Sequence, residues 1–243
     1  MPEQSRADRR RSQRGNVAKP PPRDPMRPIY IGAVALVVAI VVALLLNHMR
    51  ENRDIAAAYA TPTPAPSPAS KLIPIADGVA LGKEIFPVRP TEDTLRGGQG
   101  SPVDGIACET MEGSVLHVHT HLSIFVNGQQ IRVPKLVGGA ASPNGGCLYW
   151  LHTHDETGII HIESPQLQAP GGGPFTLGMF FDIWGRPLTR TNIADIKGPV
   201  TAYVNGVRYD GDLRSIPLIS HQQIVLDIGT PTPSPIYIFP PED

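Results

Sequence analysis

A chain of 243 residues with a formal net charge of −1 has room for one ordinary domain plus extensions. Its 27 prolines and 24 glycines are heavily clustered, which excludes a compact enzyme running from end to end. The near-neutral total also conceals a basic N-terminal arm. Up to Arg27 it carries Arg6, Arg9, Arg10, Arg11, Arg14, Lys19, Arg23 and Arg27 against Glu3, Asp8 and Asp24.

Such an arm suits nucleic acid or anionic lipid, and the segment that follows decides between them. Ile29 to Leu46 (IYIGAVALVVAIVVALLL) is uncharged, apolar and of roughly bilayer-spanning length. A cleaved signal peptide has a shorter apolar region and a small-residue cleavage site. The expectation is therefore an uncleaved single transmembrane helix over 29–46, with 1–28 as a basic cytoplasmic tail under the positive-inside rule. The arm then acts as a topology signal and a headgroup anchor, with no nucleic-acid partner. Everything beyond residue 47 is expected outside the cell membrane.

Residues 47–70 are expected to be a linker, whose stretch ATPTPAPSPAS is semi-rigid and polyproline-like. An exported β-rich domain is expected over 71–229, and the tail 230–243 (TPTPSPIYIFPPED) has the linker's character. Within the domain, Leu72 to Gly105 shows few periodic runs and predicts no particular element. Cys108 and Cys147 are the only cysteines, and in an oxidising compartment such a pair is most simply a disulfide. It would tie together the two histidine-bearing segments. The rival reading makes both cysteines metal ligands, without the Cys-x-x-Cys spacing that usually marks them.

From Ser114 the pattern is β. Val115 to Val126 alternates, with Leu116, Val118, Leu122, Ile124 and Val126 on one face and His117, His119, His121 and Ser123 on the other. Asn127-Gly128 predicts a hairpin turn returning through Gln129 to Val133. A second hairpin runs from Cys147 to His154, turns over 155–158 and returns over Ile159 to Glu163, which sets His152 opposite His161. Pro174 to Trp184 suits a short helix capped by Thr176, with Phe180, Phe181 and Trp184 available for the core. Val200 to Tyr209 is a third hairpin, turning at Asn205-Gly206, and Gln222 to Ile228 a last strand. Many short strands and one short helix predict a mainly β fold, a sandwich or open barrel of antiparallel strands.

Six of the eight histidines, His117, His119, His121, His152, His154 and His161, fall in these two hairpins. Neutral imidazole is the commonest ligand for zinc and copper. On a regular strand, His117 and His121 lie roughly 13 Å apart, too far for one ion to bind His117, His119 and His121 together. The cluster thus predicts either one site with a spare histidine or two neighbouring sites, for Zn(II) or Cu(II) without distinction. Glu163 shares the face of His161 and is the best candidate to orient an imidazole; Asp155 and Glu156 are further candidates, or simple turn residues. His221 opens the last strand and His48 is juxtamembrane, and neither is placed in the cluster. Met111 and Met179 stand alone, unlike a copper(I) site. The run Gly171-Gly172-Gly173 lacks the lysine of a phosphate loop, and no nucleophile elbow or dinucleotide fingerprint is present.

The segment from Cys108 to Leu188, with HVHTHLSIFVNG, CLYWLHTHDETGIIHIESP and FTLGMFFDIWGRPL, resembles a group of bacterial and archaeal membrane-anchored exported proteins. The resemblance covers about a third of the chain and carries over no activity. It implies that the FTLGMFFDIWG segment belongs with the histidine strands, Trp184 packing beneath them. A His-x-His strand pair plus a histidine on an adjacent strand is also similar to the zinc ligation of α-carbonic anhydrases, in ligand geometry alone. Three functions follow: metal acquisition, buffering or delivery; a three-histidine metalloenzyme with Glu163 or Glu156 as base; or a structural or acid-sensing domain.

Overall fold

A computed structural model describes residues 27–60, 80–81, 85–88, 97–231 and 236–241. The chain divides into two units, Met1–Met49 and Arg50–Asp243. One helix, α1 (Arg27–Ala60), covers the apolar run and continues beyond it, so that 47–60 of the expected linker are helical. Every side chain described between 34 and 47 is exposed. Among the described residues, no helix is long and apolar enough to cross a membrane. The basic tail up to residue 26 and the proline-alternating stretch 61–70 lie outside the described residues.

The second unit is mainly β. In chain order its strands are β1 (Ile85–Pro87), β2 (Cys108–Glu109), β3 (Leu116–Val126), β4 (Gln129–Ile131), β5 (Gly139–Ser142), β6 (Gly145–Tyr149), β7 (Leu151–His152) and β8 (Ile159–Ser164). After the helix α2 (Leu177–Trp184) come β9 (Leu188–Thr189), β10 (Asn192–Ile193), β11 (Ile196–Lys197), β12 (Val200–Val204), β13 (Val207–Tyr209) and β14 (Gln223–Ile228). The largest sheet runs β13-β12-β14-β3-β8-β7, with β4 also on β3; smaller sheets run β1-β5-β6-β2 and β11-β10-β9. Pairing is mostly antiparallel, as expected of a sandwich. Two pairs depart from the expected antiparallel pattern: β14 lies parallel to β3, and β1 parallel to β5.

Local chemistry explains the hairpins. Asn127 and Gly128 take φ of 49° and 82°, and Asn205 and Gly206 take 51° and 78°. Both turns thus have the doubly left-handed backbone whose twist matches the flanking strands. Thr176 caps α2 by accepting from the Met179 amide at 3.4 Å, and left-handed Gly185 closes it by donating to Asp182 and Phe181. Phe175, Phe180, Phe181, Trp184 and Tyr149 are fully buried and dominate the core. The expected disulfide is present: Cys108 is bonded to Cys147, joining β2 to the neighbouring β6.

The central strand β3 positions the site. Its residues 116–121 pair with β8 and residues 121–126 with β14. From His119 to Phe125 every side chain is buried, on both faces of the sheet. Polar residues there need partners: Thr120, for example, donates its hydroxyl to the Ile219 carbonyl at 2.7 Å.

Candidate metal centre

Strand register assembles the cluster. On β3 and β8, His117 lies opposite Glu163 and His119 opposite His161; on β7 and β8, His152 lies opposite His161. The last of these is the pairing the sequence predicts. His154 lies just past the end of β7, after Thr153, and its ring meets that of His161 edge-on at 4.3 Å between centroids. Two overlapping ligand groups result: His117, His119, His161 and Glu163, and His152, His154, His161 and Glu163. Within each, one ligating atom per residue lies within 4.8 Å of all the others.

The distances are those of ligand pairs. His117 and His119 face each other through Nε2 at 3.1 Å, and His152 and His154 through Nε2 at 3.2 Å. Two nitrogens bound to one tetrahedral ion at roughly 2.05 Å sit about 3.3 Å apart. Glu163 supplies the charge. Its Oε1 lies 3.2 Å from His117 Nε2 and 3.4 Å from His161 Nδ1, and its Oε2 lies 3.9 Å from His152 Nε2. Its side chain is only 4% exposed. Glu163 Oε2 and His161 Nδ1 are buried without a hydrogen-bond partner. A buried acceptor left in this state costs free energy, and a cation between them would remove that cost.

Protonation favours ligation. Burial pushes His119 down to about 4, helped by the neighbouring His161 and His117. Burial likewise lowers His152 to about 4, against the opposing pull of the Tyr149 carbonyl and Glu163. Both imidazoles are therefore neutral at pH 7, the state that binds metal. His152 Nδ1 donates to the Tyr149 carbonyl at 2.8 Å, which leaves the Nε2 lone pair directed at His154. Burial alone would raise Glu163, but the His161 ring beside it and the surrounding imidazoles hold it at about 2, an anion.

Three of the expected residues are used elsewhere. His121 lies outside both groups: its Nε2 donates to the Thr157 carbonyl at 2.9 Å and its ring stacks on Tyr237 at 3.6 Å. Asp155 accepts from the Thr157 amide at 2.8 Å and from its hydroxyl, which makes it a turn residue. Glu156 pairs with Arg132 at 2.6 Å. Glu163, expected to orient an imidazole, instead stands among the candidate ligands of both groups. Glu112, unmarked by any motif, comes within 3.7 Å of His154 Nε2. The tail has no regular structure over 236–241, yet it docks. The Tyr237 amide donates to the Gln223 side chain at 2.9 Å, which returns a bond to the Tyr237 carbonyl at 2.7 Å.

Comparison of the chain with protein-family models, curated proteins and solved structures finds no match. The functional reading rests on the site.

Proposed function

We propose that this protein binds a transition metal, Zn(II) or Cu(II), through the histidines and Glu163 of the β3–β8–β7 face, for acquisition, buffering or delivery. One observation carries the reading: two histidine pairs at ligand spacing flank a buried, unsatisfied carboxylate oxygen. Imidazole with one carboxylate suits either ion, and copper(II) has the higher intrinsic affinity.

A membrane anchor completes the proposal. The support is the apolar run within α1, the exposure of its described side chains, and the arginine excess ahead of it. A disulfide fits an oxidising compartment outside the cytoplasm. The resemblance to membrane-anchored exported proteins points the same way.

A metalloenzyme is the second reading, favoured by a groove of about 600 Å³ lined by Glu109, Met111, Glu112, Ala140, Cys147 and Leu148. Its Glu112 is the residue that approaches His154, which would lead a substrate towards the ion.

One preparation tests the proposal. Membranes from cells making the untagged full chain are washed at alkaline pH, and the chain is purified from the pellet for elemental analysis. The expected result is retention in the pellet and stoichiometric zinc or copper, lost in a folded His161→Ala/Glu163→Ala double variant. A folded chain that stays empty after incubation with both ions would leave the structural or acid-sensing role. Release at alkaline pH would sink the anchor alone.

A further inference from the structure

We infer that the cluster is a dinuclear centre, in which the Glu163 carboxylate bridges two ions about 3.5–4 Å apart, the usual separation in two-metal sites. The inference rests on the metal-binding reading above and adds stoichiometry and architecture to it.

The two ligand groups share only His161 and Glu163. Each has its own histidine pair, and the pairs are built alike. One member is buried, His119 or His152. The other stands at the rim, with His117 56% and His154 43% exposed. Both pairs already hold their Nε2 atoms at the spacing one tetrahedral ion requires, at 3.1 and 3.2 Å. A single ion would use one of these pairs and leave the other, equally set at ligand spacing, as an imidazole–imidazole hydrogen bond.

Glu163 points its two oxygens at different pairs. Oε1 is the atom nearest His117, and Oε2 the atom nearest His152. A carboxylate oriented in this way binds one ion through each oxygen. Two dications at such a distance repel strongly, so a second negative charge is needed nearby. Glu112 provides it beside the second pair, 3.7 Å from His154 Nε2. Both rim histidines are solvent-exposed, so water can complete each coordination sphere.

The test uses the full chain, stripped with chelator and dialysed against Zn(II). Elemental analysis is expected to find two zinc ions per chain, falling to one in His117→Ala and to one in His154→Ala. The exposure of both side chains keeps these variants folded. One zinc in the wild type overturns the dinuclear centre and leaves metal binding standing; none overturns both. A second readout loads Cu(II) and measures its electron paramagnetic resonance. Coupling across the bridge is expected to hold the signal well below the copper content, with recovery in Glu163→Gln. Two Cu(II) ions at full intensity in the wild type would overturn the bridge.

Discussion

His119 and His121 sit two residues apart on β3, both buried and both held neutral, yet only His119 belongs to the cluster. What separates them is the use of their ring nitrogens. His119 turns Nε2 towards His117. His121 gives Nε2 to the Thr157 carbonyl, and its Nδ1 lies 3.5 Å from the Ser123 hydroxyl. His119→Ala is therefore expected to reduce bound metal, whereas His121→Phe keeps the metal and the stack on Tyr237. The phenylalanine leaves the half-buried Thr157 carbonyl without its donor, at a cost of about 1 kcal/mol. Elemental analysis beside thermal unfolding measures both effects, and metal loss in His121→Phe would return that residue to the site. Strand alternation cannot make this distinction from sequence, because it reports the face and not the neighbour. His121 meets Tyr237, 116 residues away by chain position, in a tail whose composition suggests no fold. Glu163, by contrast, was legible as a face-mate of His161, since both lie on one period-2 strand.

At the level of elements, the hairpins were legible because their information is local. Asn-Gly at a two-residue turn and threonine ahead of an apolar run each act over a few residues. The same locality hid the parallel pairing of β14 with β3, which joins residues about a hundred positions apart through Gln223 and His121. It hid Glu112 as well, on a segment with no periodic signal. Two glycines test how strictly these elements are placed. Gly206 has φ of +78° and open space where a Cβ would go, so Gly206→Ala costs only backbone strain, about 1 kcal/mol. Gly158 has φ of +90°, and a Cβ there would lie 2.3 Å from the Leu122 carbonyl of β3. Gly158→Ala must push the start of β8 off β3, moving the strand that carries His161 and Glu163. Expected are a loss several times larger than at Gly206 and weaker metal binding, read by denaturant unfolding and by competition with a chromogenic chelator. Equal behaviour of the two variants would show that β8 tolerates displacement.

For the folded second unit as a whole, burying so many neutral imidazoles makes acid the natural stress. His121 is the cleanest case, lowered from 6.5 to about 4 chiefly by burial, with the Thr157 carbonyl opposing. Between these values the unfolded chain binds a proton that the folded chain refuses, so stability rises with pH. The contribution is complete above about pH 6.5 and is lost as pH falls towards 4, amounting to at most about 3 kcal/mol for this residue. His119 and His152 shift the same way over the same window. Glu163, held at about 2 against an ordinary 4.5, adds a loss of the same sign once pH drops below about 4.5. Bound metal deepens the dependence, because protons compete for the same nitrogens and the ion stabilises only the folded form. The disulfide between Cys108 and Cys147 carries no titratable group and gives a pH-independent part, roughly 4 kcal/mol by loop closure. Urea midpoints measured from pH 8 to 4 are therefore expected to hold until about 6.5 and then fall. The fall should be steeper with Zn(II) present, until the metal-loaded and metal-free curves merge near pH 4. A flat profile down to pH 5 in the metal-free protein would mean that these histidines are reached by solvent and protonated in the fold, which would also undo the case for a preformed neutral ligand set.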